Sequence, residues 1–243
     1  MRNACLSADR ALADEQAVRG IDALAELALH PILAGGFSSA GWGVHREIPY
    51  PGDDAERARA DDTPGSDRDR VRCDLVITPS PADRLADPVH AHRRIARAAG
   101  TLFEPIAEDI ETRATTDHTE PADAFWLEIK VVGQTRYRHG VPVPNPAYGA
   151  ELVAGPIADA EKLADDGVIQ HAAIALVVFT AHEDIARADL ATVTHRLFDK
   201  HLPIGSPSIA SGPIQDHAGN AAVTVAVFPL RGIGLGEVSL DPM

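Results

Sequence analysis

The sequence predicts an α/β fold: a mixed central β-sheet in α-β-β-β-α-β order, flanked by helices on both faces. Three observations carry this. Two short runs, Arg72 to Ile77 and Phe125 to Val132, interrupt apolar residues with charge at alternating positions, as half-buried strands do. Ala172 to Thr180 is almost continuously apolar, as expected of a strand buried on both faces. Helical patterns precede the first of these runs and lie on either side of the last. At 243 residues and 45% hydrophobic, the chain is long enough to bury its core as a single domain, 1–243.

Each element follows from local pattern. Val18, Ile21, Leu24, Leu27, Ala28 and Ile32 recur at three and four with acids on the other face, predicting one helix over 8–33 with Pro31 near its end. Gly35-Gly36 and Gly41-Trp42-Gly43 bracket a turn into a strand from Val44 to Tyr50. Residues 51–70 are nearly all polar and read as a solvated hairpin loop. In the next strand Val71, Cys73, Leu75 and Ile77 face one way and Asp74 the other. An inserted segment, 78–124, is rich in Pro, Asp and Thr; within it Asp87 and Pro88 start a short helix to Ala99, stopped by Gly100.

The strand after the insertion places Leu127, Ile129 and Val131 on one face and Glu128 and Lys130 on the other. A loop with Pro142, Pro144, Asn145 and Pro146 leads to a helix over 147–166, ended by Gly167, with a break or kink expected at Gly155-Pro156. The buried strand, a helix over 183–200 and a last strand from Ala221 to Phe228 complete the pattern, and the Gly-rich tail from Arg231 reads as irregular. The first three strands, joined by loops, suit an antiparallel meander. The fourth arrives through a helix and suits a parallel crossover.

Composition narrows the function. A formal net charge of -14 argues against a broad basic surface coating nucleic acid, but not against nucleic acid held by a metal and a local patch. Cys5 and Cys73 make no disulfide framework, and Cys73 reads as a buried thiol. Met1 to Arg10 lacks an apolar signal core and no run approaches membrane-spanning length, so a soluble cytoplasmic protein with no membrane partner is expected. His90 and His92 are two apart on a predicted helix and do not face each other; with His118 and no supporting cysteine they make no zinc pattern. No serine sits in a Gly-x-Ser-x-Gly elbow, and Gly232-Ile233-Gly234-Leu235-Gly236 has no following helix to form a phosphate loop.

If the Asp74 and Glu128 strands pair, two carboxylates and one ammonium converge on one patch. That is the minimal equipment for holding a divalent cation and activating a water beside it. Lysine is scarce: Lys130, Lys162 and Lys200 stand against nineteen arginines. A lysine inside an apolar strand is therefore notable, since its compact charge and adjustable pKa differ from those of arginine.

This order, with Asp74 in the second strand and Glu128-Ile129-Lys130 in the third, resembles the PD-(D/E)xK nuclease superfamily and its restriction-endonuclease-like fold. The likeness spans roughly residues 8–200 as a pattern of elements; Cys73 stands where the motif has proline. The resemblance implies a metal-dependent nuclease acting on nucleic acid, with DNA the expected substrate. Asp74, Glu128 and the Ile129 carbonyl would bind Mg²⁺ or Mn²⁺, and Lys130 would orient or deprotonate the attacking water. Glu47 would be the glutamate that many members carry near the first helix or strand, and Gln134 a polar residue near phosphate or water. Dimers are frequent among such nucleases, so a homodimer fits it, as does a catalytically inactive module of the same fold used for binding or regulation.

Each residue has a plainer explanation. Glu128 and Lys130 could form an exposed salt bridge, and Asp74 could be a cap or pair with Arg72 or Arg136. Glu47 could be a surface carboxylate, and Gln134 a strand-end hydrogen bond. Lys162 could reach a phosphate or simply pair with Asp159 within its helix. Arg136 and Arg138 are the nearest basic cluster to the motif strand.

Overall fold

The computed structural model describes residues 1–52, 71–86, 98–103 and 118–230. The expected helix at 87–99 (apart from its last residues), most of the loop at 51–70, His90, His92 and the tail from 231 lie outside them. The chain is mixed α/β. Helices α1 (Arg2–Asp14) and α2 (Glu26–Ser38) precede β1 (Gly43–Pro49) and β2 (Arg72–Thr78). Two short strands, β3 (Arg84–Leu85) and β4 (His118–Thr119), form a parallel pair inside the inserted segment. Then come β5 (Phe125–Gly133), the ribbon β6 (Thr135–Arg138) and β7 (Val141–Pro144), and α3 (Tyr148–Asp165). The chain continues through β8 (His171–Thr180), α4 (Glu183–Asp199), β9 (Ser208–Pro213) and β10 (Ala222–Leu230).

The main sheet has six strands in the order β1-β2-β5-β8-β10-β9. β1, β2 and β5 are antiparallel neighbours, while β5 and β8 are parallel, from Phe125↔His171 to Gly133↔Phe179. This is the meander followed by a helical crossover that the pattern of elements predicts. The second half of the sheet is antiparallel again, with β10 between β8 and β9. β8 has neighbours on both sides and helices over both faces, which is why all but its first residue are buried.

Two apolar clusters lie on opposite faces. On one, Leu29 and Leu33 of α2 and Cys5 of α1 pack on Leu75, Ile77, Leu127, Ile129 and Val177. On the other, Leu152 and Leu163 of α3 and Leu190, Val193 and Leu197 of α4 pack on Val76, Trp126, Ile174, Leu176 and Phe228. Leu127, Ile129 and Val131 share the α1–α2 face, as alternation requires. Cys73 does not follow Leu75 and Ile77: it joins the α3–α4 cluster, so alternation along β2 slips at Asp74.

The helix expected over 8–33 is two helices. α1 ends at Asp14, Gln16 takes a left-handed φ of 55°, and a short 3₁₀ turn at Ile21–Ala23 precedes α2. The stripe used to predict one helix straddles that break, which is why Val18 and Leu27 are 88% and 65% exposed. α3 runs through Gly155-Pro156 without a break, with Pro156 inside it. β9 and the β6–β7 ribbon had no counterpart in the sequence pattern; Pro142 and Pro144 are accommodated because β7 pairs with β6 alone.

Candidate functional site

Glu47, Asp74 and Glu128 stand on three adjacent strands. Arg46↔Leu75 and Ile48↔Cys73 pair on either side of Glu47 and Asp74, and Glu47 itself has a φ of 54°. β2 and β5 pair from Ile77↔Phe125 to Leu75↔Leu127 and no further; the next step would set Asp74 against Glu128. The ladder therefore opens where the acids lie.

Carboxylates serve the backbone that this opening exposes. Ile129 N–H donates to Asp74 Oδ2 at 2.7 Å, and Val131 N–H donates to Glu26 Oε2 at 3.1 Å. A paired strand residue sends its N–H and carbonyl to the same side, so the Ile129 carbonyl faces the same gap. Asp74 thus acts as a backbone cap, one of the plainer roles open to it, while it also lies against Glu128.

Glu128 is not an exposed salt-bridge partner. It is 2% exposed, under Tyr50, whose hydroxyl donates to Glu128 Oε1 at 2.5 Å. Tyr50 is in turn stacked on Trp126, with ring centroids 6.1 Å apart. Burial, then the Asp74 carboxylate beside it, pushes the Glu128 pKa up to about 8. Burial and the neighbouring Cys73 and Glu128 likewise push the Tyr50 hydroxyl far above its ordinary value.

Lys130, on the same strand face as Glu128, reaches Asp159 Oδ2 at 3.2 Å and Glu26 Oε1 at 3.4 Å. Burial alone would lower its pKa, but Asp159 and Glu26 outweigh that and push it up to about 12. Lys162 pairs with the other oxygen of Asp159 at 2.7 Å, the intrahelical pair its spacing allows. Two of the chain's three lysines therefore meet on one buried aspartate of α3. Gly155 makes room for this: a Cβ there would lie 3.2 Å from Lys130 Cδ.

On the other side of Asp74 lies His30 of α2, fully buried. Its Nδ1 is 3.6 Å from Glu47 Oε1 and its Nε2 is 3.8 Å from Asp74 Oδ1. Both are too long for hydrogen bonds. Glu47, whose side chain is 42% exposed, thus turns one oxygen inward beside a histidine.

The structure brings together Asp74, Glu128, Lys130 and Glu47, and leaves Gln134 apart. Gln134 lies just past β5, where its side-chain carbonyl accepts Ala181 N–H at 3.0 Å and its own N–H donates to Phe179. It ties the ends of two parallel strands, its strand-end role. Arg136 and Arg138 sit on the β6 ribbon beyond it.

Sequence reasoning did not find Glu26, His30 or Tyr50. Glu26 and His30 are four apart and share a helix face, but a helix phased across the break at Gln16 hid that signal. Tyr50 carried no signal, because its role depends on a contact seventy-eight residues away. Compared with known proteins, the chain matches no family model, no curated protein and no solved structure.

Proposed function

We propose that the chain is a metal-dependent phosphodiesterase of the PD-(D/E)xK type with a restriction-endonuclease-like core, acting on nucleic acid, DNA first. The observation that carries it is the buried Glu128 carboxyl pressed against Asp74 where β2 and β5 part, with Lys130 on the same face. The α-β-β-β-α-β order and the antiparallel-then-parallel pairing agree with such a core.

The donor set fits a hard divalent cation. Two carboxylates crowd together at low dielectric, and the nearest lysine is already shared between Asp159 and Glu26, so a cation would relieve a repulsion that the protein leaves standing. Asp74, Glu128 and the Ile129 carbonyl would hold Mg²⁺ or Mn²⁺. Such an ion neutralises charge developing on phosphate and acidifies a bound water.

The chain's own residues do the rest. Asp74 stays fixed by the Ile129 N–H, and Tyr50 orients Glu128 through Oε1. Lys130, its pKa raised to about 12, remains an ammonium at neutral pH. It therefore orients a water or a phosphate oxygen by charge and hydrogen bonding and is not the base. Asp159 and Glu26 hold it in place.

The purified protein should cut single- or double-stranded DNA with Mg²⁺ or Mn²⁺, with Asp74→Ala and Lys130→Ala abolishing cleavage while thermal unfolding stays cooperative. Absence of cleavage on every DNA and RNA substrate with either ion would end this reading. One observation favours a second: both site lysines are neutralised by acids of the chain, which suits an inactive module of the same fold. Such a module would show no carboxylate-dependent Mn²⁺ binding.

A further inference from the structure

His30 has no ordinary explanation. It is fully buried, and neither ring nitrogen has a hydrogen-bond partner. A buried polar group left unpaired costs roughly 1–3 kcal/mol, and the core of α2 could hold a leucine there at no such cost. Each nitrogen instead looks towards a carboxylate oxygen, Glu47 Oε1 at 3.6 Å and Asp74 Oδ1 at 3.8 Å. Glu47 Oε1 is itself buried and unpaired.

We infer that His30, Glu47 and Asp74 form a second divalent-metal site, with one imidazole nitrogen and two carboxylate oxygens as ligands. One donor atom from each residue lies within 4.8 Å of the others. Metal–ligand bonds of about 2.1 Å set neighbouring donors roughly 3.0–3.4 Å apart, so a contraction of about 1 Å closes the site. The separations are too long for hydrogen bonds and suit an ion between the groups. The site extends the proposed function because it shares Asp74 with the Asp74–Glu128 pair, placing two cations on either side of one carboxylate.

The donors decide the ion. An imidazole suits Mn²⁺, Co²⁺, Fe²⁺ or Zn²⁺, whereas an all-oxygen set suits Mg²⁺. The Asp74–Glu128 side accepts Mg²⁺ and Mn²⁺ alike. The His30 side discriminates, taking a Mn²⁺-class ion and leaving Mg²⁺ bound only at the other.

The test is pulsed electron paramagnetic resonance of the full chain titrated with Mn²⁺, read for nitrogen coupling to the bound ion. The wild type should bind two Mn²⁺ per chain, one of them showing ¹⁴N coupling. His30→Gln should remove that coupling and lower the stoichiometry to one. Glu47→Gln, at a side chain partly in solvent, should keep the fold and weaken the nitrogen-coupled ion at least about tenfold, which tests the site independently should His30→Gln not fold. Glu128→Gln should leave the coupling in place. A wild-type spectrum without nitrogen coupling, or a coupling unchanged in His30→Gln, would overturn the second site. With cleavage intact, that result leaves the nuclease reading standing; nitrogen coupling in a protein that cleaves nothing supports the site and removes the nuclease.

Discussion

Burial and the Asp74 carboxylate keep Glu128 protonated to about pH 8, and this has a measurable consequence. The unfolded chain releases that proton near 4.5, so between roughly pH 5 and 8 the folded state binds more protons than the unfolded one. Stability then falls as pH rises through that window, by a few kcal/mol in total at 1.36 kcal/mol per unit. In EDTA the thermal midpoint should drop from pH 5 to pH 8, and Glu128→Gln should flatten that slope. Mn²⁺ should restore the midpoint most at pH 8, where ligand deprotonation no longer opposes binding. Asp159 is the other residue on which much depends. Asp159→Asn leaves Lys130 and Lys162 without their shared charge and should cost about 2 kcal/mol in urea unfolding, less than a fully buried pair because both lysines are partly in solvent. At this scale Asp74, Glu128 and Lys130 were legible because strand alternation puts an acid or a lysine where an apolar residue would not be expected. The outcome for Lys130 was not: a lysine on an apolar strand suggests a lowered pKa, but two acids from other elements reverse it.

Among the elements, the opening between β2 and β5 depends on two side chains. Asp74 and Glu26 replace strand partners for the Ile129 and Val131 N–H groups. A hydrogen bond to a charged acceptor contributes about 1.5–3 kcal/mol, so Asp74→Ala should speed amide exchange at Ile129 by roughly tenfold or more, and Glu26→Ala should do the same at Val131. Amide exchange by NMR separates this capping role from metal binding. Gly155 gives a second test at this scale. Gly155→Ala gains up to about 1 kcal/mol of helix propensity but presses on Lys130 Cδ, so the thermal midpoint should hold while cleavage falls. Strands such as β5 and β8 were legible to within a residue or two because their apolar faces are continuous. The first helix was misread because Val18, Ile21 and Leu24 keep helical spacing across a segment that is not one helix, and only Ile21 of the three is fully buried. His30 and Glu26 were lost with it.

For the molecule as a whole, a net charge of -14 opposes nucleic acid everywhere except where cations gather. Non-specific binding rests on Lys and Arg contacts, so affinity for duplex DNA in EDTA should be weaker than about 10⁻⁴ M and should strengthen when Mn²⁺ is added. No helix among the described residues is long and apolar enough to cross a membrane. The sheet order was legible because loops join the first three strands and a helix joins the third to the fourth, which leaves few arrangements. The edge strand β9 was not, since Ser208 to Pro213 has neither alternation nor a continuous apolar run. The central claim is that Asp74 and Glu128 stand together to hold a divalent ion. Anomalous diffraction from crystals soaked in Mn²⁺ tests it most directly: a peak is expected in contact with a carboxylate oxygen of each, and an anomalous map with no peak touching either residue would contradict it.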